Sequence, residues 1–173
     1  MAVLGDITAE RVDAMVNAAN SQLIAGGGVD GAIHEAAGEA ALSAALAELG
    51  GCEVGDAKVT PGFALPARFI IHTVGPIWSG GGRGERDQLA SCYRRCLQRA
   101  DEVGARSIAF PAISTGAFGF PSRDAARIAV TTLSATPTAV REIRLVAYDH
   151  EMLDLYTAAL ADLPSSVSPR PSG

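Results

Sequence analysis

With 173 residues, of which 48% are hydrophobic and 19% charged, the chain is large enough to bury the core of one domain. Its formal net charge of −5 repels a nucleic-acid backbone, so a nucleic-acid partner would require a local basic patch. No stretch approaches the roughly 20 apolar residues that span a bilayer and no signal-peptide pattern is present, so we expect a soluble, cytoplasmic protein.

Short runs of β-branched residues alternate with longer alanine- and leucine-rich stretches along the chain. The predicted elements, in chain order, are a strand over 12–18, a helix over 31–49, strands over 56–60 and 68–74, a helix over 85–103, a strand over 107–111, a helix from 121 or 122, a strand over 142–148 and a helix over 151–162. This alternation is typical of an α/β domain with a mainly parallel sheet. Residues 164–173 are rich in Pro and Ser, and we expect a disordered tail after a single domain of residues 1–163.

Two glycine-containing loops each follow a predicted strand and precede a predicted helix. They are NSQLIAGGGVDG at 20–31 and STGAFGF at 114–120. In an open α/β sheet, ligands bind beyond the carboxyl ends of the strands, where glycine lets the backbone approach closely. The consecutive glycines 26–28 match neither a spaced dinucleotide motif nor a P-loop, so we expect neither a P-loop kinase nor an ordinary Rossmann dehydrogenase. The triplet either forms only a tight turn or, with the second loop, binds the two phosphates of a pyrophosphate.

Several polar side chains accompany the first loop. Asp30 opens a helix, where its carboxylate either caps the helix or orients a reacting water, and the residue pattern leaves both open. Asn17 and Asn20 end the first predicted strand, where an amide binds sugar hydroxyls or holds a turn, and we expect one of them to be structural. His34 either approaches the same ligand or packs in the helix, whereas His72, inside an apolar strand, is interpreted as structural.

The cysteines and histidines give no sign of covalent or metal chemistry. Cys52, Cys92 and Cys96 are odd in number and lack the spacing of a disulfide framework, so we expect free thiols. Cys92 and Cys96 would share a helix face, but no histidine stands at zinc-ligand spacing nearby, and we expect no metal site. No Ser–His–acid or Cys–His pairing stands out either, so no covalent nucleophile is predicted.

Five ordered motifs make the chain resemble the macrodomain family and, within it, the MacroD-type ADP-ribosyl hydrolases. The motifs are GDIT at 5–8, VDAMVNAANSQL at 12–23, GGGVDGAIHEAAG at 26–38, IHTVGPIW at 71–78 and FPAISTGAFGFP at 110–121. With the weaker segment DAKVTPGFALPA at 56–67, the likeness spans the chain from Gly5 to about the last helix. It implies a three-layer α/β/α domain around a central mixed, mainly parallel sheet, with an ADP-ribose cleft across the top edge of the sheet.

The resemblance also implies roles for individual positions. Asp6, which its position alone assigns to a turn or a helix cap, would accept a hydrogen bond from the adenine amine. The Ile7 backbone would contact the same ring, and Tyr148 would pack on it. Asn20 would hold the distal ribose. The segment that would hold phosphate and distal ribose comprises Gly26, Gly27, Gly28, Val29 and Asp30, and the segment that would close over the pyrophosphate comprises Ser114, Thr115, Gly116, Ala117 and Phe118, with Phe118 near the distal sugar.

The chain departs at a few points from the hydrolytic members of the family that it resembles. Those relatives usually carry four glycines before the Val-Asp pair, where this chain has Ala25 first, and a tyrosine where Phe118 stands. Alanine is the smallest possible change, tolerated unless the position needs a positive φ, and phenylalanine keeps the aromatic ring without the hydroxyl. The extra N-terminal strand of many relatives is expected to be short or absent.

The resemblance implies an enzyme that binds ADP-ribose and hydrolyses mono-ADP-ribose from acidic side chains of modified proteins, or acts on O-acetyl-ADP-ribose. Asp30, Asn20 and Gly28 would be its catalytic residues, and no metal or redox cofactor is expected. The alternatives are a non-catalytic ADP-ribose reader and a hydrolase of ADP-ribosylated nucleic acid. A carboxylate near the reacting sugar argues against the reader, and the acidic net charge argues against the nucleic-acid acceptor. The expected partners are ADP-ribose and mono-ADP-ribosylated macromolecules, with no membrane.

Overall fold

The computed structural model describes residues 1–165. Its elements, in chain order, are β1 (Ala2–Leu4), a 3-10 helix (Ile7–Ala9), β2 (Ala14–Ala18), α1 (Gly28–Ala37), α2 (Glu39–Leu49), β3 (Ala57–Pro61), β4 (Phe69–Thr73), α3 (Glu85–Glu102), β5 (Ser107–Phe110), α4 (Ser122–Ala135), β6 (Glu142–Ala147) and α5 (His150–Ala161). The strand β4, FIIHT, is β-branched and apolar, whereas α2, EAALSAALAEL, consists largely of strong helix formers. The predicted alternation of strands and helices is confirmed.

The six strands form one sheet in the order β1-β6-β5-β2-β4-β3. Every neighbouring pair is parallel except β3 and β4, which run antiparallel. The prediction of a mixed, mainly parallel sheet is therefore confirmed. Because β2 lies between β5 and β4, its carboxyl end stands beside those of both neighbours, and the two glycine-containing loops leave the sheet next to each other.

Helices cover both faces of the sheet and give three layers. Alternate residues of β2 point to opposite faces, so Ala14 and Val16 pack with α3, α4 and α5, while Met15 packs with α1 and α2. Ile71 and Ile70 of β4 divide between the two faces in the same way. By this alternation Asn17 and His72 belong to the face that carries α1 and α2, where they are the polar members of an apolar surface.

The helix predicted over 31–49 is wrong in its extent. It begins earlier, at Gly28, and is divided into α1 and α2 at Gly38, whose φ of 101° no other residue type adopts readily. The Gly38 N–H donates to the carbonyls of His34 and Glu35, which closes α1 before α2 starts. The break turns the chain between the two helices, and the continuous Ala- and Leu-rich sequence on both sides concealed it. The three-residue β1 was not predicted from its residues and agrees with the short N-terminal strand that the resemblance allowed.

The prediction of a disordered tail over 164–173 falls mostly outside the described residues, since only Pro164 and Ser165 are described, as irregular chain after α5. Within residues 1–165, no helix has both the length and the apolar character needed to cross a membrane. In the same part of the chain, no group of three or more His, Cys, Asp or Glu side chains is placed to hold a metal ion. The three cysteines are free and buried, and burial raises the pKa of the Cys92 thiol to about 11.

Candidate functional site

A cleft of about 410 Å³ opens at the carboxyl ends of β2 and β5. Its walls are the two glycine-containing loops that the sequence singled out, together with the end of β2 and the turn after β4. The lining residues are 18–20, 26–30, 75, 111–114 and 116–118. The structure therefore brings together most of the predicted site residues, although they come from segments about 90 positions apart.

The first loop runs into the N-terminus of α1. Gly27 is the N-cap, and Gly28, the first helical residue, has a φ of 59° that favours glycine. The Gly31 backbone passes so close to the Gly26 carbonyl that a Cβ on Gly31 would lie 2.6 Å from that oxygen. The first N–H groups of a helix have no partners within the helix and carry a partial positive charge, so this end of the cleft suits an anion.

Asp30 lies in the first turn of α1, and its side chain is only 8% exposed. Its Oδ2 accepts a hydrogen bond of 2.7 Å from the Gly26 N–H, and its Oδ1 accepts one of 2.7 Å from Asn17 Nδ2. His34, one turn later and also buried, places Nε2 at 3.4 Å from Asp30 Oδ1. The carboxylate thus anchors the glycine loop to both the helix and the sheet while lining the cleft. Among the described residues it makes no capping hydrogen bond at the N-cap Gly27, and its role in orienting a water stays a prediction.

Asn17 and His72 face each other across β2 and β4 and are both fully buried. Asn17 Nδ2 lies 3.1 Å from His72 Nδ1, and His72 Nε2 lies 2.9 Å from the Thr60 hydroxyl. Burial, with a smaller contribution from His34, lowers the pKa of His72 to about 3, so the ring is neutral at physiological pH. The sequence interpretation of His72 as structural did not foresee its hydrogen-bonded path through Asn17 to Asp30.

Asn20 lines the cleft but uses its amide to hold the loop. Its Nδ2 donates to the Ile24 carbonyl at 2.7 Å, and its Oδ1 accepts from the Ile24 N–H at 3.2 Å. The sequence predicts that one of the two asparagines, Asn17 or Asn20, is structural. Both make protein contacts here: Asn17 is the one that contacts Asp30, whereas Asn20 is the one that borders the cleft.

The second loop is held in a tight conformation over the turn after β4. Ser114 is buried and has a φ of 65°, rare for a serine, and its carbonyl accepts a 2.9 Å hydrogen bond from the Phe120 N–H. Thr115 turns its hydroxyl to the Ala112 carbonyl at 2.8 Å and does not line the cleft. Ser114, Gly116, Ala117 and Phe118 do line it. Four of the five residues predicted for this loop therefore face the cleft.

The residues predicted to contact adenine lie outside the walls of the 410 Å³ cleft. Asp6 and Tyr148 follow the paired strands β1 and β6, so they stand at the same edge of the sheet as the cleft. Asp6 Oδ1 accepts hydrogen bonds from the N–H and the hydroxyl of Thr8, at 2.9 and 2.7 Å. Ile7 is buried, whereas Tyr148 is 87% exposed.

The family model described as Macro domain matches residues 16–129. The chain belongs to the Macro domain family. It is 52% identical over 163 residues to a Macro domain-containing protein of Chlorobaculum tepidum, covering 92% of this chain and 94% of that protein. It is also 49% identical over 168 residues to the O-acetyl-ADP-ribose deacetylase of Klebsiella pneumoniae, covering 94% of this chain and 96% of that enzyme.

Among solved structures, the Trypanosoma brucei macrodomain in complex with ADP-ribose matches with a TM-score of 0.82 and 37% identity, over 92% of this chain and 68% of that chain. The macrodomain fold predicted from the sequence motifs is confirmed. The individual residue roles remain predictions.

Two residues that hold segments of this macrodomain near the cleft were not predicted as site residues: Gly75, which lines the cleft, and Glu85, which lies outside its walls. Gly75, directly below the second loop, has no room for a side chain, since a Cβ there would lie 2.1 Å from Ser114 Oγ. Glu85 is buried at the start of α3 and accepts hydrogen bonds from the N–H groups of Ser79, Gly81 and Arg83, which lower its pKa to about 2. This contact holds the segment in which the Trp78 N–H donates to the Phe118 carbonyl at 2.8 Å. The sequence signal that could have pointed to this segment is the run of glycines just before Glu85.

Proposed function

We propose that this macrodomain binds ADP-ribose in the cleft between its two glycine-containing loops and hydrolyses mono-ADP-ribose from modified acidic side chains of proteins. The observation that carries the proposal is a buried carboxylate, Asp30, at the wall of a cleft whose other features suit an anion. Hydrolysis of the related ester O-acetyl-ADP-ribose is part of the same proposal, because both substrates present the same headgroup.

Binding would use backbone donors on the two sides of the cleft. The N-terminus of α1 supplies N–H groups from Gly28 and its neighbours, and the Ser114–Phe118 segment supplies the facing loop. Two such loops match the two phosphates of a pyrophosphate. The solved relative in complex with ADP-ribose supports this choice of ligand. Asp6, Ile7 and Tyr148 would then take the adenine, beyond the walls of the cleft.

The proposed chemistry adds water across the ester that joins the distal ribose to an acidic side chain, releasing ADP-ribose and the free carboxylate. Asp30 would orient that water, Asn20 would border the distal ribose, and Gly28 would keep the loop in the conformation that its positive φ requires. Positioning of this kind can lower a barrier by several kcal/mol without a strong nucleophile. The deacetylase among the relatives supports ester hydrolysis as the reaction class.

The test compares Asp30→Ala and Asp30→Asn with Glu35→Ala, which removes an exposed carboxylate from the same helix. Release of ADP-ribose is followed from acceptors modified on glutamate, serine, arginine and nucleic-acid phosphate, and ADP-ribose binding is measured by calorimetry. We expect both Asp30 variants to lose turnover of the glutamate ester by about 100-fold or more while largely keeping ADP-ribose binding. Glu35→Ala should behave as the wild type.

Asp30→Asn controls for a loss of turnover that is caused only by a displaced loop. It keeps the shape of the side chain and an oxygen that can accept from the Gly26 N–H. Unchanged turnover in both Asp30 variants would contradict the proposed role of the carboxylate. Binding of ADP-ribose by the wild type without release from any acceptor would identify a reader, and release only from modified nucleic acid would identify the other alternative.

A further inference from the structure

His72 lies at the centre of a buried polar path that starts at Asp30 and runs through three neighbouring strands. Asn17 and His72 are register partners in β2 and β4, and Thr60 lies on β3, the next strand of the sheet. All three side chains are buried. Such a path within an apolar face costs free energy unless its donors and acceptors match, so their directions can be assigned.

Two contacts at the ends of the path fix every direction in it. The Thr60 hydroxyl donates to the Pro61 carbonyl at 3.1 Å and therefore accepts from His72 Nε2–H. His72 Nδ1 is then unprotonated and accepts from Asn17 Nδ2 at 3.1 Å. The second hydrogen of Asn17 Nδ2 goes to Asp30 Oδ1 at 2.7 Å.

The orientation of the Asn17 amide depends on these two acceptors. Within residues 1–165, nothing donates a hydrogen bond to Asn17 Oδ1, so no contact on the oxygen side holds the amide. A rotated amide would place its oxygen against the Asp30 carboxylate, where two acceptors repel each other. The Asp30 carboxylate and the acceptor on His72 together keep the amide nitrogen turned toward both of them.

We propose that His72 is a positioning residue for the hydrolysis proposed above: its Nδ1 fixes the Asn17 amide, and the amide fixes the Asp30 carboxylate at the wall of the cleft. The inference rests on the proposed function, because the reaction that His72 would support is the proposed hydrolysis. A neutral ring is required, because a protonated ring would have no acceptor to offer Asn17, and the low pKa of His72 agrees with that requirement.

Two amide substitutions separate the acceptor from the rest of the ring. In His72→Asn, the side-chain oxygen reaches about the position of Nδ1 and can accept from Asn17, but the contact with Thr60 is lost. In His72→Gln, the longer side chain reaches the position of Nε2 and can donate to Thr60, but Asn17 loses its acceptor. Both variants are neutral and both disturb the packing. Leu42→Ala, which opens a cavity in the core cluster on the same face of the sheet without removing a polar group, controls for loss of stability.

Each variant is assayed for kcat on the glutamate-ester substrate and for ADP-ribose affinity, at a temperature where circular dichroism shows it folded. Because small misplacements of catalytic groups are costly, we expect His72→Asn to keep a kcat at least about tenfold above that of His72→Gln. ADP-ribose affinity should stay within about threefold of wild type in both variants, because neither substitution removes the hydrogen bond between the Gly26 N–H and Asp30 Oδ2 that holds the first loop. Leu42→Ala should keep the wild-type kcat.

Equal kcat values for the two His72 variants would overturn the inference, and so would a loss of ADP-ribose affinity that matches the loss of turnover. A ¹⁵N NMR measurement of the wild-type ring gives a second, independent result: protonated Nε2 with unprotonated Nδ1 supports the assignment, and protonated Nδ1 overturns it. The NMR result does not depend on turnover. If the wild-type protein released no ADP-ribose, the proposed function would be refuted. The NMR measurement would still show whether the hydrogen bonds of the path run in the assigned directions.

Discussion

Gly75→Ala should damage the cleft through a purely steric effect. Gly75 has no positive φ, so alanine fits its backbone conformation, but the added Cβ would lie 2.1 Å from Ser114 Oγ and 2.7 Å from Ile113 Cγ2. Carbon atoms in good contact are about 3.5–4.0 Å apart, so both neighbours must move by about an ångström. Ser114 has little freedom to do so, because it is buried and already has a positive φ.

Overpacking of this kind should cost about 1–3 kcal/mol, equivalent to a fall of about 2–12 °C in Tm for a domain of this size. Urea unfolding followed by circular dichroism measures the free energy of unfolding, and calorimetry measures ADP-ribose affinity, which should fall as the second loop moves. Gly116→Ala is the stability control, because a Cβ on that glycine of the same loop meets nothing within 4 Å and its φ is not positive. We expect that control to stay within about 0.5 kcal/mol of wild type. Equal stability of the two variants would refute the argument.

Two further predictions concern the loops on either side of the cleft. Gly28→Ala should lower the free energy of unfolding by about 1 kcal/mol, because φ at Gly28 is 59° although a Cβ would have open space. Gly27→Ala, at a φ of −95°, introduces no such backbone strain and should cost less, since only the N-cap preference for glycine over alanine opposes it. Urea unfolding compares the two, and the same loss in both would show that the backbone conformation is not the cause. Glu85→Gln should lower Tm at neutral pH, because the three N–H groups that contact Glu85 hold its pKa at about 2, below the ordinary 4.5. A group whose pKa is lowered on folding stabilises the protein above its unfolded pKa, so the Tm difference between wild type and Glu85→Gln should shrink as the pH falls from about 4.5 toward 2. A Tm difference that does not change with pH would contradict that explanation.

Most of the fold was predictable because strands and helices of this chain carry the usual local patterns. The strand at 69–73 is apolar and β-branched, and α3 begins and ends within one residue of its predicted limits. The break at Gly38 was not predictable, since a glycine within an alanine-rich stretch is also compatible with a continuous helix. Only the turn of the chain toward α2 distinguishes two helices from one. The strand order also depends on contacts between distant segments, which local patterns do not contain.

The residues of the candidate site show the same distinction between what local sequence patterns predict and what depends on contacts between distant segments. The glycine loops and Asp30 stand out in the sequence because their residue types are unusual at those positions. The partners of Asp30 do not stand out in the sequence, because Asn17 and His72 come into contact only through the register of β2 and β4. In addition, a histidine in an apolar strand is more often structural than functional. Gly75 is likewise invisible in the sequence, since its requirement comes from Ser114, almost 40 residues away.

The contacts of Asp30 bear on how it would act in the proposed reaction. A carboxylate next to bound phosphates is repelled by them unless other groups hold it, and here the Gly26 N–H and the Asn17 amide each donate to one of its oxygens. A carboxylate has about four lone-pair positions, so two remain after these contacts. A water that donates a hydrogen bond to one of them would be held at the wall of the cleft by a side chain that is itself fixed from two sides. For the proposed reaction we therefore predict that Asp30 contributes mainly by orienting the water, and that the accuracy of this orientation depends on Asn17 and, through it, on His72.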